Sequence, residues 1–233
     1  MNMTTNSVVE QVEACANAIE TRFKKSGDWI RHTSDTNIKL RDSEFSGDKY
    51  RRAHISIIDS RELNKLYFLH VTIFPHINNP APIYGFDIIA GPTRVSGAFH
   101  DFSKSGKFDD NMSWFANRTK DIVWNKKREL PEWAKSIFSD SIVAIGAVGS
   151  EELAEFISLG LETLDYYLDN IDKTNNQDID TTENQNFYCQ QQRLNPHTPR
   201  VLVNLGFTEH RATQFVENTL FPLYDKNTIN FME

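Results

Sequence analysis

LYFLHVTIFPHINNPAPIYGFDIIAGPTRVSGAFHD, residues 66–101, decides the fold. Two apolar runs, Leu66–Phe74 and Ile83–Ala90, flank a turn rich in Pro and Asn. A Gly91-Pro92 break then leads to a third run, Val95–Phe102. Runs of this length, rich in β-branched and aromatic residues and bounded by Pro, Gly and Asn, read as strands. The first two each carry one ionisable side chain among apolar neighbours, His70 in LYFLHVTIF and Asp87 in YGFDIIAG. Burying such a group unpaired is costly, so the two are expected to meet across neighbouring strands and share a proton in a low-dielectric pocket. Coupled pairs of this kind serve where a substrate must be protonated; the competing reading is a buried structural ion pair.

Outward from this stretch, YRRAHISII (Tyr50–Ile58) alternates, with Ala53, Ile55 and Ile57 on one face and Arg52, His54 and Ser56 on the other. A turn through Asp59–Asn64 joins it to Leu66–Phe74, so the His54/Ser56 face lies beside the His70 face in an antiparallel hairpin. Four successive strands with short connections predict an antiparallel meander. Upstream, Ser7–Lys25 has helical spacing, with Ser7 and Glu10 placed for a capping box. Trp29–Phe45 is polar and mixed, and reads as irregular structure with one edge strand.

Downstream, a helix is predicted over Phe108–Lys127, Pro131 bars a long helix in Arg128–Phe138, and Ser141–Val148 reads as a short buried strand. Glu151–Ile171 carries the clearest amphipathic stripe. Asp172–Asn186 is polar and reads as a surface linker. Helices over Phe187–Leu194, Pro199–Leu205 and Thr208–Leu220 follow. Strands first and helices after, able to cover both faces, give an α/β protein: a three-layer α/β/α sandwich with a central antiparallel sheet, with residues 1–233 as a single domain.

Composition closes off several classes. A net charge of −7 and a pI near 5.5 give no footprint for nucleic acid. Cys15 and Cys189 form no CxxC, which removes cysteine-built iron–sulfur and zinc sites. His32, His76, His100 and His210 have no metal-ligand spacing, so no metal site is expected. No Walker loop or GxGxxG supports nucleotide or flavin binding. No apolar run reaches the ~18 residues of a membrane span, and MNMTTNSVVEQ lacks the regions of a signal peptide; a cytoplasmic protein is expected, with no membrane partner.

Three separated motifs in order, LHVTIFP…YGFDIIAGPTRVS, RELPEW and FYCQQQRLNPHTPRVL, resemble the ferredoxin-dependent bilin reductases, and within them the phycocyanobilin:ferredoxin oxidoreductase group. The resemblance runs from about Tyr50 to Phe221 and implies the same architecture. It also implies a cofactor-free, monomeric enzyme that acts on biliverdin IXα. Reduced ferredoxin, a 2Fe-2S protein, would supply electrons singly through substrate radicals, so proton donors would be the protein's main chemical contribution.

Residue by residue, His70 and Asp87 match the group's bilin-flanking pair, and His54 matches a second histidine on the proton route behind it. Ser56 departs from the pattern: the phycocyanobilin-forming enzymes have a Glu there that protonates the D-ring vinyl group. Without that acid the resemblance points to phycoerythrobilin by way of 15,16-dihydrobiliverdin, a chemistry some viral relatives share. Phycocyanobilin formation and a non-catalytic bilin carrier are the alternatives. Phycoerythrobilin-forming members often have an Asp where this chain has Asn195, as the phycocyanobilin group does. Arg128 and Ser96 match propionate contacts, His197 replaces a propionate-binding Lys, and Arg200 is kept for ligand or fold. Because ferredoxins are acidic, the basic cluster Lys120, Lys126, Lys127, Arg128 and Lys135 is the expected docking face.

Overall fold

The computed structural model describes residues 7–105, 110–174 and 178–225. Its strands are β1 (Asp28–Asp35), β2 (Leu40–Ser46), β3 (Arg52–Ser60), β4 (Leu66–Phe74), β5 (Ile83–Ala90), β6 (Val95–Ser103) and β7 (Val143–Ile145). They pair antiparallel in chain order, as one seven-stranded meander. The helices are α1 (Val8–Ser26), α2 (Arg61–Asn64), α3 (Asp110–Thr119), α4 (Glu132–Lys135), α5 (Ser150–Asn170), α6 (Thr182–Arg193), α7 (His197–Asn204) and α8 (Glu209–Phe215).

Period-2 side-chain alternation sorts every strand into two faces. Ala53, Ile55, Ile57, Leu69, Val71, Ile73, Tyr84, Phe86 and Ile88 pack with α1, α3 and α5 into one apolar core. The opposite face has fewer apolar residues, chiefly Leu40, Ile58, Phe68, Phe74 and Ile83, and is covered by α6, α7 and α8. The result is the three-layer α/β/α sandwich around an antiparallel sheet that the strand pattern predicts. Ser7 Oγ accepts from the Glu10 N–H at 3.3 Å while Glu10 Oε2 accepts from the Ser7 N–H at 2.8 Å, closing the capping box that starts α1.

The structure departs from the sequence reading in several places. Trp29–Phe45 is not irregular: it forms β1 and β2. β1 is exposed or half-exposed throughout, so no apolar period marks it, and β2 buries Asp42 and Ser43 alongside Leu40 and Phe45. The predicted linker Asp172–Asn186 is instead largely structured. It holds a 3-10 turn (Ile171–Thr174) and the first turn of α6 from Thr182, with Gln185 fully buried; residues 175–177 lie outside the described set.

The helix predicted over Phe108–Lys127 is confined to Asp110–Thr119, Phe108 lying outside the described residues. The final helix widens after Phe215 into a π-turn, Val216–Leu220. In the apolar layer, Gly160 of α5 sits against the Phe86 ring so closely that a Cβ would lie 2.2 Å from its Cε2. Gly160→Ala is therefore expected to destabilise the protein by about 1–3 kcal/mol despite its better helix propensity, measured as a lower urea midpoint at unchanged slope.

Candidate active site

Strand register builds the site. Asp42, Ser56, His70, Asp87 and Phe99 are successive cross-strand partners from β2 to β6. One step along, Glu44, His54, Thr72, Gly85 and Asp101 form a parallel row. Both rows lie on the face covered by the C-terminal helices. Between that face, the α4 segment, α6, α7 and Phe221 lies a cavity of about 610 Å³.

His70 and Asp87 meet as the sequence requires, with Nδ1 2.6 Å from Oδ1. The imidazole is 3% exposed and the carboxylate 33%, so the pair opens to the cavity on the acid side. Phe68 stacks on the His70 ring at 6.2 Å and Phe221 meets it edge-on at 5.4 Å, fixing its plane. Nε2 of His70 is buried without a protein partner.

His54 and Ser56 are fully buried one strand further in, behind the cavity wall. His54 Nε2 is 2.7 Å from Asp42 Oδ1. Arg31 reaches Asp42 at 3.3 Å and Glu44 at 3.1 Å, and Arg52 pairs with Glu44 at 3.2 Å while donating to the Thr219 carbonyl at 2.6 Å. Burial is the largest influence on His54 and pushes it down to about 4, so the ring is neutral at physiological pH.

The remaining candidates gather at the cavity mouth, with one exception. Arg128 donates to the Ser96 carbonyl at 2.7 Å and lies 5.6 Å over the Phe99 ring. Gly146 makes room for it, since a Cβ there would be 2.7 Å from the Arg128 Nε. Ser96 Oγ donates to the Ile89 carbonyl at 2.9 Å. Asn195 turns inward on its own loop, accepting from the His197 N–H at 2.9 Å and donating to Thr198 Oγ1 at 3.0 Å, while His197 is exposed on the rim. Arg200 does not join them: it is exposed on α7 and is not part of the cavity wall.

Lys120, Lys126, Lys127, Arg128 and Lys135 are all exposed. Lys120, Lys127 and Arg128 border a second recess of about 290 Å³ beside the mouth, and Lys135 is paired with Glu132.

Sequence reasoning missed Asp101. It is buried on the cavity wall, accepts from Ser139 N–H at 2.9 Å, Ser103 Oγ at 2.7 Å and also Ser139 Oγ, and burial raises it to about 6. The signal was present, because Asp101 shares face parity with Phe99, the cross-strand partner of Asp87. Tyr188 and Gln192 of α6 also wall the cavity and bond to each other at 2.9 Å. His100 belongs to the other layer: it donates from Nδ1 to the Gly85 carbonyl at 2.7 Å, and burial pushes it down to about 4. Both cysteines are buried thiols, raised by burial to about 12 for Cys15 and about 11 for Cys189, and are poor nucleophiles.

Among the described residues no group of three His, Cys, Asp or Glu side chains can hold a metal ion, and no helix is long and apolar enough to cross a membrane. A large, mostly apolar cavity over an imidazole–carboxylate pair is the arrangement of a site that encloses an extended ligand beside titratable groups. Residues 5–222 match the ferredoxin-dependent bilin reductase family, and the chain belongs to it. It is thus an oxidoreductase that reduces bilins with ferredoxin as the external electron donor.

It is 34% identical over 177 residues to a phycocyanobilin:ferredoxin oxidoreductase of Prochlorococcus marinus, covering 71% of this chain and 70% of that one. Identity is 32% over 179 residues to the enzyme of the same name from Synechococcus sp. (strain CC9902), covering 74% and 71%. The fold matches a solved PcyX structure with a TM-score of 0.70 at 23% identity, covering 92% of this chain and 99% of the other. Tomato phytochromobilin synthase, solved with biliverdin, matches with a TM-score of 0.69 at 15% identity, covering 93% and 85%.

The buried imidazoles set a pH response. His54 and His100 ionise near 4 in the folded chain, against an ordinary 6.5, so between those values the unfolded chain binds protons that the folded chain does not. Their contribution is full above pH 6.5 and is lost as pH falls towards 4, on the order of 3 kcal/mol for each ring. Asp101, raised to about 6, works in the opposite direction but is a single group. The urea midpoint is therefore expected to fall steadily between pH 6.5 and 4.5; a flat or rising profile would contradict the assignment.

Proposed function

We propose that the protein reduces biliverdin IXα to phycoerythrobilin by way of 15,16-dihydrobiliverdin, with His70 and Asp87 carrying the protons. Each double bond reduced takes up two electrons and two protons. Ferredoxin supplies the electrons singly, so the protein's task is to hold the ring system and to protonate chosen carbons. Asp87 faces the cavity and is re-protonated through its short contact with His70. Phe68, Ile89 and Phe99 offer apolar surface to a conjugated ligand, and Arg128 with Ser96 stands where a propionate leaves the mouth. His197 takes the place of a second, lysine-type propionate contact. The exposed lysines around Arg128 make a basic rim for an acidic ferredoxin.

Ser56 carries the regiochemical part of this reading. It is the buried row member between Asp42 and His70, at the position where the resemblance puts the vinyl-protonating acid, and its hydroxyl has no comparable acidity. Phycocyanobilin formation is the second reading, favoured by the names of the relatives at 32% and 34% identity and by Asn195.

Anaerobic turnover of biliverdin IXα with reduced ferredoxin and chromatographic product identification separates the two. Phycoerythrobilin with transient 15,16-dihydrobiliverdin is expected; phycocyanobilin would overturn the Ser56 reading, and binding without product would mark a carrier. Asp87→Asn is expected to bind biliverdin with near-normal affinity while losing turnover by about a hundredfold or more, stalling at a radical visible by electron paramagnetic resonance. Ser56→Glu is expected to divert part of the product to phycocyanobilin, and an unchanged product mixture would count against the reading.

A further inference from the structure

The polar row does not end at the cavity wall. His54, on the strand next to His70, turns Nε2 towards Asp42 of β2 at 2.7 Å, and its ring centroid lies 5.7 Å from that of His70. His54 Nδ1, His70 Nε2 and Thr72 Oγ1 are all buried without a hydrogen-bond partner. The side chain of Asp42 is 1% exposed and sits 3.3 Å from the Arg31 guanidinium. A carboxylate ionised beside Arg31 can only accept, so the hydrogen of the Asp42–His54 bond belongs to His54 Nε2. Burial, with Arg52 and His70 close by, denies His54 a second proton. Its Nδ1 is consequently left with a lone pair, on a ring whose centroid lies 5.7 Å from that of His70, a separation of the order one water spans.

We propose that Asp42 is a positioning residue of the reductive site: it holds His54 in the Nε2–H tautomer, so that Nδ1 accepts from the His70 side and keeps His70 protonated on Nε2 while its Nδ1 proton is shared with Asp87. The proposal rests on the reading of His70 and Asp87 as proton carriers. In the step it supports, the Nδ1 proton of the His70 imidazolium passes to Asp87 and on to the reduced ligand. His70 is left neutral with its Nε2 hydrogen still held towards His54. Without Asp42, His54 is free to place its hydrogen on Nδ1. It then becomes a donor towards His70 and favours the unloaded ring.

The test is 15N NMR of the histidine rings in the ligand-free protein at neutral pH, paired with turnover. The wild-type protein is expected to show His54 as the Nε2–H tautomer. Asp42→Asn, whose amide can donate to Nε2, is expected to move the hydrogen to Nδ1 and slow turnover about tenfold or more. The thermal midpoint is expected to fall, because Arg31 and His54 lose their carboxylate partner, so turnover is compared well below it, where the biliverdin binding spectrum should stay close to wild type. A wild-type His54 carrying its hydrogen on Nδ1 overturns the proposal, as does a flipped tautomer in Asp42→Asn with undiminished turnover. If the wild-type protein leaves biliverdin unreduced, the substrate reading fails by itself, because the tautomer is read without ligand.

Discussion

The contact on which the rest of the structure depends is the 2.6 Å bond between His70 and Asp87 on adjacent strands. Side chains alternate with a period of two, so a one-residue slip of β4 against β5 would turn one member into the apolar core under α1 and α5. Such a slip would bury an unpaired imidazole or carboxylate, at a cost of several kcal/mol. The pair therefore acts as a register pin as well as a chemical group. The same logic extends sideways: Asp42 needs His54 and Arg31, Glu44 needs Arg31 and Arg52, and Arg52 ties the row to the Thr219 carbonyl at the end of the last helix. Each buried charge restricts its neighbour, and the sheet is held in one alignment from β1 to β5.

That constraint divides the labour between the two faces. The α1–α3–α5 side is close-packed and apolar; its one internal imidazole, His100, has both nitrogens engaged, by the Gly85 carbonyl and by Thr163 Oγ1. Hydrophobic burial there carries most of the stability. The other face instead contains unpartnered polar atoms at His54, His70 and Thr72, and a cavity of about 610 Å³. Such violations are tolerated where a ligand is to be bound, because the well-packed face supplies the stability they cost.

The reach of sequence reasoning follows from the same division. His70 and Asp87 were legible because an ionisable residue among Val, Ile and Phe contradicts its surroundings, and neighbouring strands joined by a Pro-rich turn let the two meet. Alternation in YRRAHISII put His54 on the polar face, where a surface residue is the ordinary reading; only the family resemblance marked it as a pocket residue, and it is fully buried. β2 was not, because its buried face includes Asp42, and a strand whose core-facing residues are charged has no hydropathic period. Asp101 was overlooked for a related reason: its neighbours Phe99 and Phe102 lie on opposite faces and hide the alternation. The wall formed by α6 was read partly as linker because its first turn faces inward with Gln185, not with an apolar residue. Arg200, a motif position read as serving ligand or fold, lies exposed on α7 outside the cavity wall.

Regiochemistry becomes separable from fold under these conditions. Register and burial are secured by Asp42, His54, His70 and Asp87, each bound to a partner that would be orphaned by its loss. Ser56 sits inside the same row, yet its uncharged side chain takes no part in the ion pairs that lock the register. A change of residue at position 56 therefore leaves the ion pairs, and the register they secure, in place. A change at the paired positions alters both together. On the proposed reading, product would be set through an uncharged member of the row while the paired members keep the scaffold and the proton supply. Ser56 is a member of the first kind and Asp42 of the second, and this is why two residues facing each other across β2 and β3 are assigned such different roles.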